Sequence, residues 1–402
     1  MQRQSIRAAP EHPCSARASA RRQSIRAAPG LARRPRWPPN HLKTGYLTGA
    51  PAPATVRPAR ATATLVTTLV TVLALLGAGC GGSAGGSRSP ASGGRTGLAR
   101  IQLSLDWTPN PDHVGLYYAQ QHGEFQRARL QVTMRAPSDP SAPIKLVGLN
   151  KIDLAISYQP DLFLAAEKGL PVRAVAALVP VPLNSLIALP GSGIDDPASL
   201  RGRRVGITGI PTDDAILATV LRTGGLRRGD VQVVNVGYNL VTSLLSRKVD
   251  AILGGYRNVE AIQIAQETGS QPVVLPVDRL GVPAYDELVV VANARRLDSD
   301  KAYADAVRRF LAAVVRASAA ALDDQEGAVR GLQQATSYRA EFLRQSVPAT
   351  LRLLRPPDGA PIGCMEQASW RSYGQWMHRT GLLGRAIDGG SLETTAYLPG
   401  PC

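Results

Sequence analysis

The sequence predicts an α/β protein of two lobes, joined by two crossing hinge strands and ending in a helical C-terminal part. Three observations carry this. From Ile101 onward strand-like and helix-like segments alternate, which argues for largely parallel sheets. A second unit of the same kind is inserted into the first, and the chain then returns. From Lys301 the pattern is mostly helical. At 402 residues the chain is long enough for two ordinary domains and a substantial core.

Taken in order, Ile101 to Leu105 reads as an apolar strand and His113 to Gln121 as a helix stopped by Gly123. Leu130 to Met134 is a strand, and Ser141-Ala142-Pro143 opens a helix to Leu149, with Pro in the first turn, where a missing N–H costs nothing. Ile152 to Tyr158 is a strand, Pro160 to Lys168 a helix, Val172 to Leu178 and Asn184 to Leu189 strands. Asp196 to Leu200 is a capped single turn before a strand over Arg204 to Thr208. Helices over 212–223 and 239–247 and strands over 231–236 and 250–253 complete the inserted unit. Leu288 to Ala292 is the returning strand, followed by amphipathic helices over 301–321, 325–335, 339–346 and 365–380. The crossings are expected near Leu186–Leu189 and Val289–Ala292, giving one lobe from 100–187 with 288–402 and another from 188–287. Such lobes can close around a ligand by hinge motion.

Asp106-Trp107-Thr108-Pro109-Asn110-Pro111-Asp112-His113 brings a strand end, an aromatic, a polar turn and a helix start into one short stretch. In an open α/β sheet, ligands sit beyond the carboxyl ends of strands, so this stretch suits a pocket floor. An ordinary loop whose Trp caps the core fits equally well.

The net charge of +16 is concentrated at the start. Residues 1–60 hold twelve Arg or Lys against Glu11 alone, and residues 61–80 hold no charge. The remainder is mildly basic without a basic stripe interleaved with aromatics, so nucleic acid is not an expected partner. Residues 1–55, where Arg-Gln-Ser-Ile-Arg-Ala-Ala-Pro occurs at 3–10 and 22–29, read as translated upstream sequence or a disordered basic arm. Residues 56–80 read as a signal peptide: Arg57 and Arg60, an apolar run from Leu65 to Leu76, then Gly77-Ala78-Gly79-Cys80. That run is short of the roughly 20 residues that span a bilayer. Its end resembles a bacterial lipobox with Leu76 one place early, which makes Cys80 the lipidation site; plain cleavage is the alternative. Residues 81–99, rich in Gly and Ser, form a flexible tether to the membrane anchor. An exported compartment permits a Cys364–Cys402 disulfide, with two free thiols as the alternative. No Cys-x-x-Cys or paired-His spacing points to a metal, and no cofactor motif is present.

Asp106 to Ala119 is close to the opening motif of a known family. With it go Ile156-Ser157-Tyr158-Gln159, Pro182-Leu183-Asn184-Ser185, Leu200 to Gly206, Val236 to Leu240, Val249 to Tyr256, and Pro283 to Leu288. Over roughly 100–390 the chain resembles the solute-binding proteins of ABC importers, and within them the thiamine-pyrimidine group. Leu-x-Gly-x-x-Val-Gly is common to most such proteins; the first motif together with Tyr256-x-x-x-Glu260 is narrower. The resemblance implies a type II periplasmic-binding-protein-like fold and an aminopyrimidine ligand. It also implies an ABC permease with its ATPase as partners, an extracytoplasmic location and a monomer.

That ligand chemistry can be matched to residues. A flat ring wants aromatic faces, for which Trp107, Tyr158 and Tyr256 are candidates. Asn110 can match an amino donor beside a ring-nitrogen acceptor bidentately, as Asn does with adenine. Glu260 can accept from the amino group or pair with a protonated ring nitrogen; if the segment from Arg257 is helical, Tyr256 and Glu260 share a face. At most one of the adjoining Tyr117 and Tyr118 can face the pocket. His113 can touch the ligand or orient the turn. Thr208, Gly209 and Thr212 can hold a polar edge or anion through free N–H groups, or serve as a helix cap. Asn239 is expected to cap a helix beside Tyr238.

Other ligands of the same binding class are riboflavin-like flavins, sulfonates or taurine, and nitrate. The fungal members implied by the resemblance are pyrimidine-making enzymes with a cysteine-rich iron motif. This sequence lacks that cluster, and also lacks Gly-x-Ser-x-Gly, a Walker loop and His-Glu-x-x-His, so an enzyme is not expected.

Overall fold

The computed structural model describes residues 98–402; the leader, the signal segment with Cys80 and nearly all of the tether lie outside the described residues. In chain order the elements are β1 (Ala99–Ser104), α1 (Val114–Gln121), α2 (Glu124–Arg127), β2 (Leu130–Arg135), α3 (Pro143–Gly148), β3 (Leu154–Ser157), α4 (Gln159–Glu167) and β4 (Val172–Val179). Then follow β5 (Asn184–Ala188), β6 (Arg204–Ile207), α5 (Asp213–Thr223), β7 (Gln232–Asn235), α6 (Leu240–Leu245), β8 (Ala251–Tyr256), α7 (Glu260–Thr268) and β9 (Val273–Pro276). The chain closes with β10 (Leu288–Asn293), α8 (Ala294–Ser299), α9 (Lys301–Asp323), α10 (Gln325–Ala335), α11 (Ala340–Leu351) and α12 (Gln367–Arg379). No described helix is long and apolar enough to cross a membrane.

The strands form two five-stranded sheets, β2-β1-β3-β10-β4 and β7-β6-β8-β5-β9. They are mixed rather than largely parallel. β1 runs parallel to β2 and β3, and β6 to β7 and β8, while β10 is antiparallel to β3 and β4 and β5 is antiparallel to β8 and β9. Both antiparallel strands are the ones by which the chain enters a sheet after leaving the other, so they arrive against the local direction.

The crossings also lie earlier than expected. β5 pairs wholly within the second sheet and β10 wholly within the first. The passages are therefore Pro180–Leu183 and the segment ending at Glu287, and the division expected at 187/188 moves to just before Asn184. Leu186–Leu189 and Val289–Ala292 are apolar because β5 and β10 are internal strands, a reason that leaves their sheet unspecified. β9 is not among the strands expected from sequence: its run of Val273, Val274 and Leu275 is short and half-buried and ends in Pro276, which is tolerated at a sheet edge. α11 runs through Pro348, past the expected stop at 346.

One apolar cluster lies under the first sheet, where Leu103, Ile156 and Val290 meet Val114 and Leu116 of α1 and Phe310 and Val314 of α9. A second joins Phe163, Trp370 and Tyr373 to Val289 and Val291 of β10 and continues to Leu186, Val205 and Leu217 around the second sheet. Cys364 and Cys402 are linked by a disulfide, which closes the C-terminal segment as a loop.

Candidate functional site

The loops at the carboxyl ends of β1, β3, β6 and β8 converge on a cleft between the sheets, bordered by the two passages. Its walls are Asp106, Trp107, Asn110, Tyr158, Asn184, Thr208, Ile210, Leu240, Gly254, Tyr256, Glu260 and Glu287, around about 410 Å³ of space counted out to the mouth. Its charged groups are three carboxylates; none of the lining residues is Lys, Arg or His.

The turn after β1 is built by its own side chains. Asn110 Oδ1 accepts from Asp112 N at 2.8 Å, capping a 3-10 turn over Pro111–His113. Asn110 N donates to His113 Nδ1 at 3.2 Å, so the ring proton sits on Nε2 and meets Asp106 Oδ1 at 2.8 Å. Tyr158 OH donates to the other oxygen, Asp106 Oδ2, at 2.9 Å. His113 is fully buried beside Asp106 and is not among the residues lining the cleft. Asn110 reaches the wall, its oxygen already accepting one bond in the cap.

Trp107 meets Tyr238 from the β7–α6 loop edge-on, with ring centroids 4.3 Å apart and planes at 65°. Tyr238 OH donates to Pro137 O at 2.8 Å, so one side chain bridges from a loop of the second sheet to a loop of the first. Its neighbour Asn239 stands at the N-cap of α6 without a side-chain cap bond, contrary to expectation. Neither Tyr117 nor Tyr118 lines the cleft; Tyr118 stacks on His122 and donates to Asp324.

Tyr256 and Glu260 do meet, though not as helix neighbours. Tyr256 ends β8 and Glu260 begins α7, and Tyr256 N donates to Glu260 Oε2 at 2.8 Å across the turn. Burial, reinforced by the charge of Asp106, pushes the Glu260 carboxyl up to about 7. Burial also holds the phenols of Tyr158 and Tyr256 well above their ordinary value, with Asp106 and Glu287 adding to it.

The β6–α5 loop holds a carboxylate of its own. Asp213 Oδ2 accepts from Thr208 Oγ1 at 2.8 Å, Gly209 N at 2.6 Å and Ile210 N at 3.2 Å. The N–H of Gly209 is thus already taken, Gly209 is not in the wall, and Thr212 makes no cap bond. Gly209 is required there: its φ is +84° and a Cβ would come within 2.3 Å of Asn235 Nδ2.

Asp106 and Glu287 are wall residues not singled out from sequence, although both lie inside quoted motifs. An acidic residue after a strand is a common loop residue, and nothing local marks it as buried.

The family description "NMT1/THI5 like" matches residues 110–328. A formylaminopyrimidine-binding protein from Halalkalibacterium halodurans is 35% identical over 70% of this chain and 85% of its own length. A 4-amino-5-hydroxymethyl-2-methylpyrimidine phosphate synthase of Saccharomyces cerevisiae is 28% identical over 56% of this chain and 68% of its own. Among solved structures, the alkanesulfonate-binding protein SsuA from Xanthomonas axonopodis pv. citri superposes with a TM-score of 0.58 at 17% identity, covering 74% of this chain and 99% of that one. That likeness shows the periplasmic-binding-protein fold, and sequence and fold together establish that the chain belongs to the NMT1/THI5-like family.

Proposed function

We propose that this chain is the extracytoplasmic solute-binding component of an ABC importer, anchored to the membrane through Cys80, and that it closes its two sheets as lobes around an aminopyrimidine. The single observation that carries the reading is the composition of the cleft: aromatic faces from Trp107, Tyr158 and Tyr256 beside the carboxyl of Glu260, with no cationic side chain in the wall. A flat ring stacks on such faces, and its amino group or protonated nitrogen finds an acceptor. The formylaminopyrimidine-binding relative supports the same ligand class.

A sulfonate or nitrate ligand is disfavoured by the same chemistry, because it would enter beside Asp106, Glu260 and Glu287 while the nearby N–H groups are taken by Asp213. The yeast relative's name favours a second reading, pyrimidine synthesis. Against it, His113 is enclosed behind Asp106, and the sequence lacks the cysteine cluster of that reading. Calorimetric titration with 4-amino-5-hydroxymethyl-2-methylpyrimidine, its formylamino counterpart, riboflavin and taurine tests the proposal. Saturable binding of a pyrimidine without turnover supports it; binding of taurine alone overturns it.

A further inference from the structure

Behind the cleft, a second contact joins its two walls. Asn258, in the turn between β8 and α7, donates through Nδ2 to Asp112 Oδ1 at 2.6 Å and to Thr350 Oγ1 of α11 at 2.8 Å. The backbone carbonyl of Asn258 accepts from Ser346 Oγ. Asp112 belongs to the turn capped by Asn110, and Asn258 precedes Glu260 by two residues. The pair therefore ties the turn that carries Asn110 to the one that carries Glu260.

The hydrogen-bond count of this pair does not close with an ionised carboxylate. Asp112 Oδ2 and Asn258 Oδ1 are both buried, and neither has a partner among the described residues. Two acceptors left unanswered on residues already in contact are costly, since each forfeits its hydration. One proton on Asp112 turns Oδ2 into a donor, and a carboxylic acid against a primary amide closes as a ring of two hydrogen bonds. We propose that Asp112 is a protonated positioning residue that forms a reciprocal acid–amide pair with Asn258, holding the two walls of the cleft in their binding geometry.

The surroundings favour the neutral acid. Burial drives the Asp112 carboxyl well above its ordinary value; Asn258 opposes this, and the charges of Glu260, Asp106 and Glu287 add to it. The other titratable groups around it are His113, Tyr256 and Tyr338, of which the two phenols offer no positive charge at neutral pH and His113 is turned to Asp106. No Lys or Arg stands among these groups.

The inference rests on the ligand-binding reading for its consequence but not for its chemistry, and one set of variants separates the two. An infrared difference spectrum of the full chain against D112N, at neutral pH, should contain the carbonyl band of a protonated carboxylic acid. D112N places an amide where the acid stood and can rebuild the ring, so its urea midpoint and its affinity for the hydroxymethyl-aminopyrimidine should stay within about twofold of wild type, the ordinary tolerance for an isosteric hydrogen-bond swap. N258A should lose about tenfold or more in affinity, as an unanswered buried acid displaces the turn carrying Glu260. A difference spectrum holding only carboxylate bands, or a D112N as impaired as N258A, overturns the proposal. Should N258A not fold, the D112N spectrum and unfolding curve still decide. Should no pyrimidine bind the wild type, the functional reading falls while the spectrum still decides the pair.

Discussion

Glu287, at the end of the second passage between the sheets, accepts the backbone N–H of Asn184, at the end of the first, through Oε2 at 2.9 Å. The same oxygen takes Leu183 N at 2.6 Å and Tyr285 OH at 3.0 Å, and Oε1 takes Tyr256 OH at 3.3 Å. One carboxyl thus ties both passages to an aromatic of the cleft wall. Burial raises its pKa, and these four donors oppose the rise. Replacing Glu287 by Ala leaves two buried N–H groups unanswered, each costing about 1–3 kcal/mol. Urea unfolding should show that loss, and ligand affinity should fall with it; an unchanged midpoint would contradict the tie.

Trp107 of the cleft wall and Tyr238 of the β7–α6 loop meet by an edge-to-face contact. Removing the indole in W107A should weaken an aminopyrimidine by about 1–3 kcal/mol, the scale of base–aromatic stacking. Y238F keeps the ring contact and deletes only the bond to Pro137, so it should cost about 0.5–1.5 kcal/mol. Stopped-flow measurement of ligand release should show the Y238F loss as faster opening, with little change in association.

Several buried carboxyls give the molecule a definite pH response. Burial raises Asp161, Glu260 and Asp286 to about 7 and Asp213 to about 6, whereas the unfolded chain ionises its carboxyls near 4. Between those values the folded form holds protons that the unfolded form has released. Their contribution is complete at about pH 4 and is lost as pH rises through about 6 to 7. The urea midpoint should therefore be higher at about pH 5 than at about pH 8. Carboxyls lowered by their partners, such as Asp250 beside Arg204, lose their contribution only on further acidification. A midpoint that climbs steadily toward alkaline pH would refute this balance.

The disulfide spans a sequence separation of 38 residues and returns the chain end to the segment preceding α12. A closed loop of that length restricts the unfolded chain by roughly 4 kcal/mol in the chain-entropy treatment. Replacing both Cys364 and Cys402 by Ser should lower unfolding stability by about 2–4 kcal/mol while leaving ligand affinity nearly unchanged, because neither cysteine lines the cleft.

Much of this molecule is written locally. Alternating apolar runs, the capped turn at Asp196 to Leu200 and the amphipathic C-terminal helices determine the α/β class and nearly every element, because each signal lies within one element's own length. The Asp106 to Ala119 stretch was likewise legible, since a strand end, a polar turn and a helix start are neighbours in sequence. Tertiary structure decided the rest. β5 and β10 are apolar in either sheet, so only pairing sets their sheet and direction. Thr208 and Gly209 offer N–H groups that look free until Asp213 folds back onto them. Asp106, Asp112 and Glu287 read as ordinary polar loop residues; what distinguishes them is burial and the donors that distant segments bring to them. Covalent neighbours fix where a chain turns, but hydration, charge and hydrogen-bond satisfaction depend on which surfaces meet.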